Sequence, residues 1–209
     1  MADLGTSIGD FVSVAKHRAQ SADLLARARI VVVSSEDAQG RMVRHFPGLR
    51  TVRRAWSDDT MRTYRGPVTP HQPIHQVIVV GAIGPGKGYE VLLACARDAA
   101  ERDLPIYFNI VSFTTDDRTL LETGRAVITG LYEEVECQSV LKTIGRGLGF
   151  LSSVWPETWC YALSALFEAD LDVLAFNIGT QAELISKTKR GFLVPLGRSP
   201  AAINEAILG

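Results

Sequence analysis

Residues 76–111, QVIVVGAIGPGKGYEVLLACARDAAERDLPIYFNIV, decide the fold of this chain. An apolar run at 77–80 precedes a glycine-rich segment at 81–88, a helical pattern at 89–102 and a second apolar run at 106–111. Short apolar runs separated by a helix are typical of parallel strands that are buried on both faces. The segment therefore predicts a strand–helix–strand unit with a glycine-rich turn after its first strand.

The same alternation continues toward the end of the sequence. We expect further strands at 126–129, 148–151, 173–176 and 192–194, and helices at 136–144, 161–168, 181–187 and 199–208. Ser199 is placed to cap the last helix, with Pro200 at its first helical position. The predicted fold class is α/β, a Rossmann-like parallel sheet with helices on both faces.

A stretch rich in proline and turn residues, 56–73, separates this pattern from a smaller N-terminal block. Within the block we expect a helix at 11–29 capped by Asp10, a strand at 30–33, a helix at 35–46 and a short strand at 51–53. The block is small for an independent core. We therefore interpret residues 1–73 as the remnant of an N-terminal domain plus linker, and 74–209 as the main domain. Unpaired strand edges in the block favour self-association, which a monomeric mass by light scattering would contradict.

Composition limits the functional class. The 209 residues are 46% hydrophobic and carry a net charge of −1, which argues against a nucleic-acid binder. Residues 1–66 hold eleven Lys or Arg against seven Asp or Glu. This excess leaves open contact with an anionic partner or a membrane surface, although a solvated mixed-charge face is its more common origin. Three cysteines, no signal-peptide pattern and no long apolar run predict a soluble cytoplasmic protein.

Three loops are candidate sites, because ligands of open parallel sheets bind beyond the carboxyl ends of the strands. Residues 81–88 either hold an anion through backbone N–H groups and Lys87 or form a tight turn with an exposed lysine. Residues 152–161, SSVWPETWCY, place Glu157 between two tryptophans. That carboxylate either faces a ligand or is favoured by a helix dipole. Residues 177–180 form a third turn into a helix.

Two other chemistries fit the sequence less well. Residues 81–88 nearly match the phosphate-binding loop of nucleoside triphosphatases, but Gly88 stands where a metal-binding Ser or Thr is needed. His71 and His75 lie among prolines, where no helix can place them on one face, so we expect no metal site. The sequence also contains no Ser/His/Asp set or cysteine pair that would indicate nucleophilic catalysis or zinc binding.

Five segments together resemble the C-terminal, donor-binding half of the GT-B glycosyltransferases, retaining enzymes that use nucleotide sugars. The segments are VIVVGAIGPGKGYEVLLACA (77–96), VITGLYEE (127–134), FLSSVWPETWCYALS (150–164), VLAFNIGTQAELI (173–185) and GFLVPLG (191–197). They occur in the order found in that family, and residues 28–60 look like the end of its N-terminal half.

The resemblance implies a role for individual residues. Lys87 corresponds to the lysine on the donor diphosphate, and Glu157 to the first of two glutamates, facing the donor sugar and phosphate; these two are the expected catalytic residues. The loop with Tyr132 lies against the nucleobase, and the loop with Gly179 lies by the sugar phosphate. The full donor-binding set is Gly84, Gly86, Lys87, Gly88, Leu131, Tyr132, Glu157, Thr158, Trp159, Gly179 and Thr180.

The sequence also departs from the family pattern. Ala82 replaces an arginine that helps hold the diphosphate, and Ser164 or Ala165 stands at the place of the second glutamate, with Glu168 one helical turn further on. The expected function is transfer of a sugar from a UDP- or GDP-sugar to a glycan or lipid-linked acceptor, without metal or cofactor. The acceptor would bind through a missing N-terminal half, so this chain alone is expected to be inactive. The alternative is a non-catalytic nucleotide-sugar-binding or interaction module.

Overall fold

The computed structural model describes residues 3–5, 11–54 and 76–209. The chain divides into two compact units, Met1–Trp56 and Ser57–Gly209. The expected domain boundary at 73/74, the linker at 56–73, the cap Asp10 and the histidines at 71 and 75 lie outside the described residues.

The first unit is built from short elements. Strands β1 (Asp3–Gly5) and β2 (Phe11–Ser13) pair antiparallel and precede helix α1 (Val14–Arg27). Strand β3 (Val31–Val33), helix α2 (Glu36–His45) and strand β4 (Thr51–Arg53) follow, with β3 and β4 parallel.

The prediction of a helix from residue 11 is wrong for its first three residues. They form β2, because their backbone groups bond to β1, and the helix begins only where the Ser13 hydroxyl accepts from Lys16 N. Helix α2 begins as expected at a serine cap, where Ser35 Oγ accepts from Ala38 N at 3.1 Å. Side chains of this unit are mostly exposed, including Leu24 and Val32, and none of α1 is buried.

The second unit contains a six-stranded sheet. Its strands are β5 (Gln76–Val80), β6 (Tyr107–Val111), β7 (Ala126–Ile128), β8 (Leu148–Leu151), β9 (Val173–Phe176) and β10 (Gly191–Val194). They lie in the order β7-β6-β5-β8-β9-β10, and every neighbouring pair is parallel. The predicted α/β class with a Rossmann-like parallel sheet is confirmed.

A helix follows each of these strands along the chain. They are α3 (Tyr89–Glu101), α4 (Asp117–Leu121), α5 (Cys137–Ile144), α6 (Tyr161–Glu168), α7 (Gly179–Thr188) and α8 (Pro200–Leu208). Helix α4 was not predicted, because five residues are too few to show a helical period; its signal is Asp116, whose carboxylate caps Thr119 N. The cap at Ser199 and Pro200 at the first position of α8 are confirmed.

The core has one apolar cluster on each face of the sheet. On one face, buried side chains such as Phe108 and Phe150 pack under α3 and α8. On the other, Ile78, Val80 and Leu151 pack under α5, α6 and α7. Both faces of the strands are covered, which is why the sequence shows continuous apolar runs instead of alternation.

The order in which strands are added to the sheet reverses between β5 and β8. Strands added after β5 move to one side (β6, β7), and those from β8 onward move to the other. In open α/β sheets the crevice at such a switch point is the usual ligand site. The loops after β5 and β8 border that crevice. No helix of the described ranges is long and apolar enough to cross a membrane.

Candidate functional site

The two charged residues that the sequence singles out meet at the switch point. Lys87 lies on the loop after β5 and Glu157 on the loop after β8, and Lys87 Nζ is 2.8 Å from Glu157 Oε2. The carboxylate is 7% exposed and the lysine side chain 42% exposed. A buried carboxylate is costly without a partner, and the Lys87 ammonium is the partner of Glu157 inside the loop cluster.

Cys160 lies behind Glu157 as an inert neighbour. Burial, helped by the nearby Glu157 charge, raises the pKa of its thiol to about 12. At neutral pH the thiol is protonated and is not a nucleophile. Like Cys95 and Cys137, Cys160 is buried and packs as a small hydrophobic residue.

The glycine-rich loop is bound to the loop after β8 by hydrogen bonds. Ser152 Oγ donates to the Lys87 carbonyl at 2.7 Å, and Ser153 Oγ donates to the Gly86 carbonyl at 3.3 Å. The N–H of Val154 also donates to Gly86, at 3.2 Å. The backbone that carries Lys87 is therefore positioned before any ligand binds, which reduces the entropy that binding must remove.

Gly88 is required by this packing. Its φ of +81° lies in the left-handed region, and a Cβ at this position would lie 1.9 Å from the Ser152 carbonyl oxygen. No Ser or Thr fits there. The triphosphatase alternative therefore fails for a geometric reason, since the metal-binding hydroxyl of that motif has no room.

The third loop supports Glu157 from behind. Thr180 N donates to the Glu157 carbonyl at 3.0 Å, and Thr180 Oγ1 donates to the Thr158 carbonyl at 2.9 Å. Gly179, with φ +69°, is so close that an added Cβ would lie 2.8 Å from Glu157 N. Gly179 and Thr180 belong to the first turn of α7, which begins two residues before the predicted start at 181. In this geometry both residues position the backbone of Glu157.

The remaining predicted residues lie around this centre. Thr158 is exposed, and Trp159 is half-buried in an edge-to-face contact with Tyr161. Gly84 lies near Thr115 on the loop after β6: a Cβ added to Gly84 would be 3.6 Å from Thr115 Oγ1.

The predicted nucleobase loop follows β7, two strands away from β5. Leu131 is 85% exposed, and Tyr132 is half-buried against the apolar cluster under α5 and α6. The topology places this loop beside the site and not in its centre.

The place of the second glutamate holds no carboxylate. Ser164 Oγ bonds to the Cys160 carbonyl at 3.5 Å, and Ala165 has no polar side chain. Glu168 ends α6, about 10 Å along the helix axis from its first residue. Its Oε2 accepts from Gln138 Nε2 at 3.2 Å, so it is directed toward α5 and is not a replacement at the sheet edge.

The space next to the ion pair is small. A cavity of about 20 Å³ lies beside Lys87 and Glu157, lined by side chains that include Ile83, Leu151 and Ser153. That volume holds about one water molecule. A larger ligand must bind on the open side of the pair. Within the described part of the chain, no group of three or more His, Cys, Asp or Glu side chains could hold a metal ion.

Sequence reasoning missed three contributors to this site. Ser152 and Ser153 fix the glycine-rich loop, and Trp155 lies against it, with its ring 3.5 Å from the would-be Cβ of Gly86. The sequence signal is the pair of serines that precedes Trp155. Its partner, the glycine-rich loop, lies over sixty residues away along the chain, so the contact could not be recognised.

Comparisons with known proteins place this fold in a known architecture. No protein-family model and no curated protein matches the sequence. Solved structures do match: a variant of TarM from S. aureus in complex with fondaparinux, alpha-GlcNAc-glycerol and UDP has a TM-score of 0.68 at 15% identity, over 97% of this chain and 40% of that chain. Anabaena HepE in complex with UDP-glucose gives 0.68 at 16%, over 93% and 57%.

A third match is the sucrose-phosphate synthase of Thermosynechococcus elongatus, with a TM-score of 0.66 at 16% identity, over 98% of this chain and 54% of that chain. The chain thus has the fold of the C-terminal half of a GT-B glycosyltransferase, as the five sequence segments predict. It spans about half the length of these structures or less. At this identity the likeness establishes the fold alone.

Proposed function

We propose that this chain is the donor-binding part of a glycosyltransferase that uses a UDP- or GDP-sugar. The observation that carries the proposal is the Lys87–Glu157 pair, assembled at the switch point of a GT-B half by loops from β5, β8 and β9. Fold-level likeness supports a transferase only by analogy. The pair adds the chemistry, because an ammonium and a carboxylate are the groups that bind a diphosphate and sugar hydroxyls.

Each charged residue has a distinct role in this proposal. Lys87 binds the diphosphate and stabilises the charge that develops on it as the sugar departs. Glu157 orients the donor sugar by accepting hydrogen bonds from the hydroxyl groups of the sugar. Retention of the anomeric configuration is proposed by analogy with the family that the sequence resembles. The reaction needs no metal in this proposal, because the lysine and the N–H groups of the glycine-rich loop stabilise the diphosphate charge. The base lies near Leu131 and Tyr132.

The acceptor site belongs to a second polypeptide segment in this proposal. The matched structures extend well beyond this chain, which covers 40% to 57% of them. A glycan or lipid-linked acceptor would bind there, in polysaccharide or glycolipid synthesis, and the chain alone would bind donor without transferring it.

A specific observation favours a second candidate, a nucleotide-sugar-binding module without catalysis. Ser164 and Ala165 replace a carboxylate, and Glu168 is bonded to Gln138. Donor binding without hydrolysis or transfer, even after addition of an N-terminal half from a homologous enzyme, would favour this module.

Titration calorimetry with UDP, GDP and ATP, each with and without magnesium, tests the proposal. The informative variant is Lys87→Met combined with Glu157→Gln, because removing Lys87 alone leaves a buried unpaired carboxylate and risks unfolding. Loss of charge-assisted bonds of about 1.5–3 kcal/mol predicts roughly 10- to 100-fold weaker UDP or GDP binding.

A matched control is Lys187→Met, which removes an exposed lysine from the last turn of α7. This control should bind like the wild type. Binding of ATP that requires magnesium, or equal UDP binding by all three proteins, would contradict the proposal.

A further inference from the structure

Trp155 is a large aromatic side chain that is exposed and yet held in place. Its side chain is 57% exposed. One face of the indole covers Gly86, with ring atoms Cδ2 and Cε3 both 3.5 Å from the would-be Cβ of that glycine. More than half of the Trp155 surface is left accessible to solvent beside the glycine-rich loop.

The backbone of Trp155 is fixed by two side chains. Its carbonyl accepts from Gln181 Nε2 at 3.4 Å, and it shares the single hydroxyl proton of Ser153, at 3.4 Å, with the Gly86 carbonyl. Gln181 is 1% exposed, so this contact lies inside the protein. An exposed aromatic ring that packs on Gly86 and extends from an ordered backbone loses less entropy on binding than a ring on a mobile segment, and aromatic side chains of this kind recur as binding anchors.

The chemistry beside Trp155 determines which ligand suits it. Glu157 is two residues away, and Lys87 follows the glycine that the indole covers, so an apolar plate borders an ammonium–carboxylate pair. A pyranose ring has the complementary surface, with C–H groups on one face and hydroxyls around its edge. Sites for small ligands combine aromatic walls with a few placed polar groups in this way.

We propose that Trp155 stacks on a pyranose ring whose hydroxyls bind the Lys87–Glu157 pair. This inference rests on the proposed function and adds a binding residue to it. The ring belongs either to the sugar nucleotide or to a separate free sugar, and the two sources are separable by experiment.

The test compares wild type, Trp155→Ala and Trp155→Phe for binding of UDP, UDP-glucose, and UDP followed by free glucose or N-acetylglucosamine. Calorimetry gives affinities, and the indole N–H signal in ¹H–¹⁵N spectra reports on Trp155 directly. If the sugar belongs to the donor, Trp155→Ala binds UDP-glucose about tenfold more weakly, while UDP affinity changes less than twofold. Trp155→Phe should stay within about threefold of wild type because it keeps an aromatic face.

A separate sugar gives a different pattern. The Trp155 signal then shifts only when a free sugar is added to the UDP-bound protein, and Trp155→Ala abolishes the weak sugar binding. Phe192→Ala controls for the loss of an exposed aromatic side chain, since Phe192 is 51% exposed on the outermost strand, β10.

The outcomes separate the two proposals. If the wild type and Trp155→Ala bind UDP equally and also bind UDP-glucose and both sugars equally, the stacking role is wrong and the donor-site proposal stands. If the wild type binds GDP and not UDP, the same comparison uses GDP and a GDP-sugar. If it binds neither nucleotide, the proposed function is wrong and the stacking role falls with it.

Discussion

Replacing Gly88 by alanine tests whether the glycine-rich loop depends on its close contact with the loop after β8. The added Cβ would lie 1.9 Å from the Ser152 carbonyl oxygen and 2.6 Å from the carbonyl carbon, so the backbone must move. The residue also has φ +81°, where an L-residue is strained by roughly 1–2 kcal/mol. Overpacking adds about 1–3 kcal/mol. We therefore expect Gly88→Ala to lose about 2–5 kcal/mol of unfolding free energy.

Gly86→Ala is the matched substitution two residues earlier. Its Cβ would meet the Trp155 ring at 3.5 Å, an ordinary contact, and Gly86 is not among the glycines with positive φ. We expect a change within about 0.5 kcal/mol. Comparing Gly88→Ala with Gly86→Ala thus separates the effect of the contact with Ser152 from the general effect of a methyl group in this loop.

Urea unfolding followed by tryptophan fluorescence measures both variants. A Trp56→Phe background leaves only Trp155 and Trp159, which both belong to the loop after β8. With a slope of about 1–3 kcal/mol/M, the midpoint of Gly88→Ala should fall by roughly 1 M or more, and that of Gly86→Ala should hardly move. Equal midpoints for the two variants would refute the reasoning about Gly88.

Two further predictions concern packing and protonation. Arg190→Met removes the bond from Nη1 to the Phe167 carbonyl (2.9 Å) and the cation–π contact with the Phe167 ring (4.7 Å), and should cost about 2–3 kcal/mol in thermal unfolding. Asp170→Asn, which alters only the 73%-exposed partner of Arg190, should cost less than about 1 kcal/mol, and equal costs would contradict this assignment. Burial raises the pKa of the Cys95 and Cys160 thiols from 9.0 to about 12, so the unfolded chain releases these protons first as pH rises. Unfolding free energy should therefore fall between pH 9 and 12 in denaturant titrations, more steeply than in the Cys95→Ala/Cys160→Ala variant; identical pH profiles would exclude these thiols as the cause.

The strands of the main sheet were predictable because burial on both faces leaves an unmistakable pattern. Leu148–Leu151 and Val173–Phe176 have the predicted bounds, and all eight of their residues are buried. Two short elements, one defined by backbone pairing and one by a single cap, were missed. The strand at Phe11–Ser13 depends on bonds to β1, and the five-residue helix after Asp116 depends on one carboxylate.

The sequence identified Lys87 and Glu157 but not their contact. Their 2.8 Å separation depends on β8 lying beside β5, a neighbour chosen by the topology and not by chain order. The structure also gives a different reason for the glycine at position 88. From sequence it is a departure from a triphosphatase motif, whereas the structure shows a glycine enforced by Ser152. Such constraints from residues that are distant along the chain leave no local pattern to detect.

The Lys87–Glu157 contact has a consequence for association kinetics. With the ammonium compensated by a carboxylate at 2.8 Å, the centre of the site projects little positive field into solution. Long-range steering of an anionic ligand should be weak there, so its association rate constant should depend little on ionic strength. After encounter, the anionic group of the ligand must displace the Glu157 carboxylate from Lys87. This short-range exchange would then govern how long the ligand remains bound.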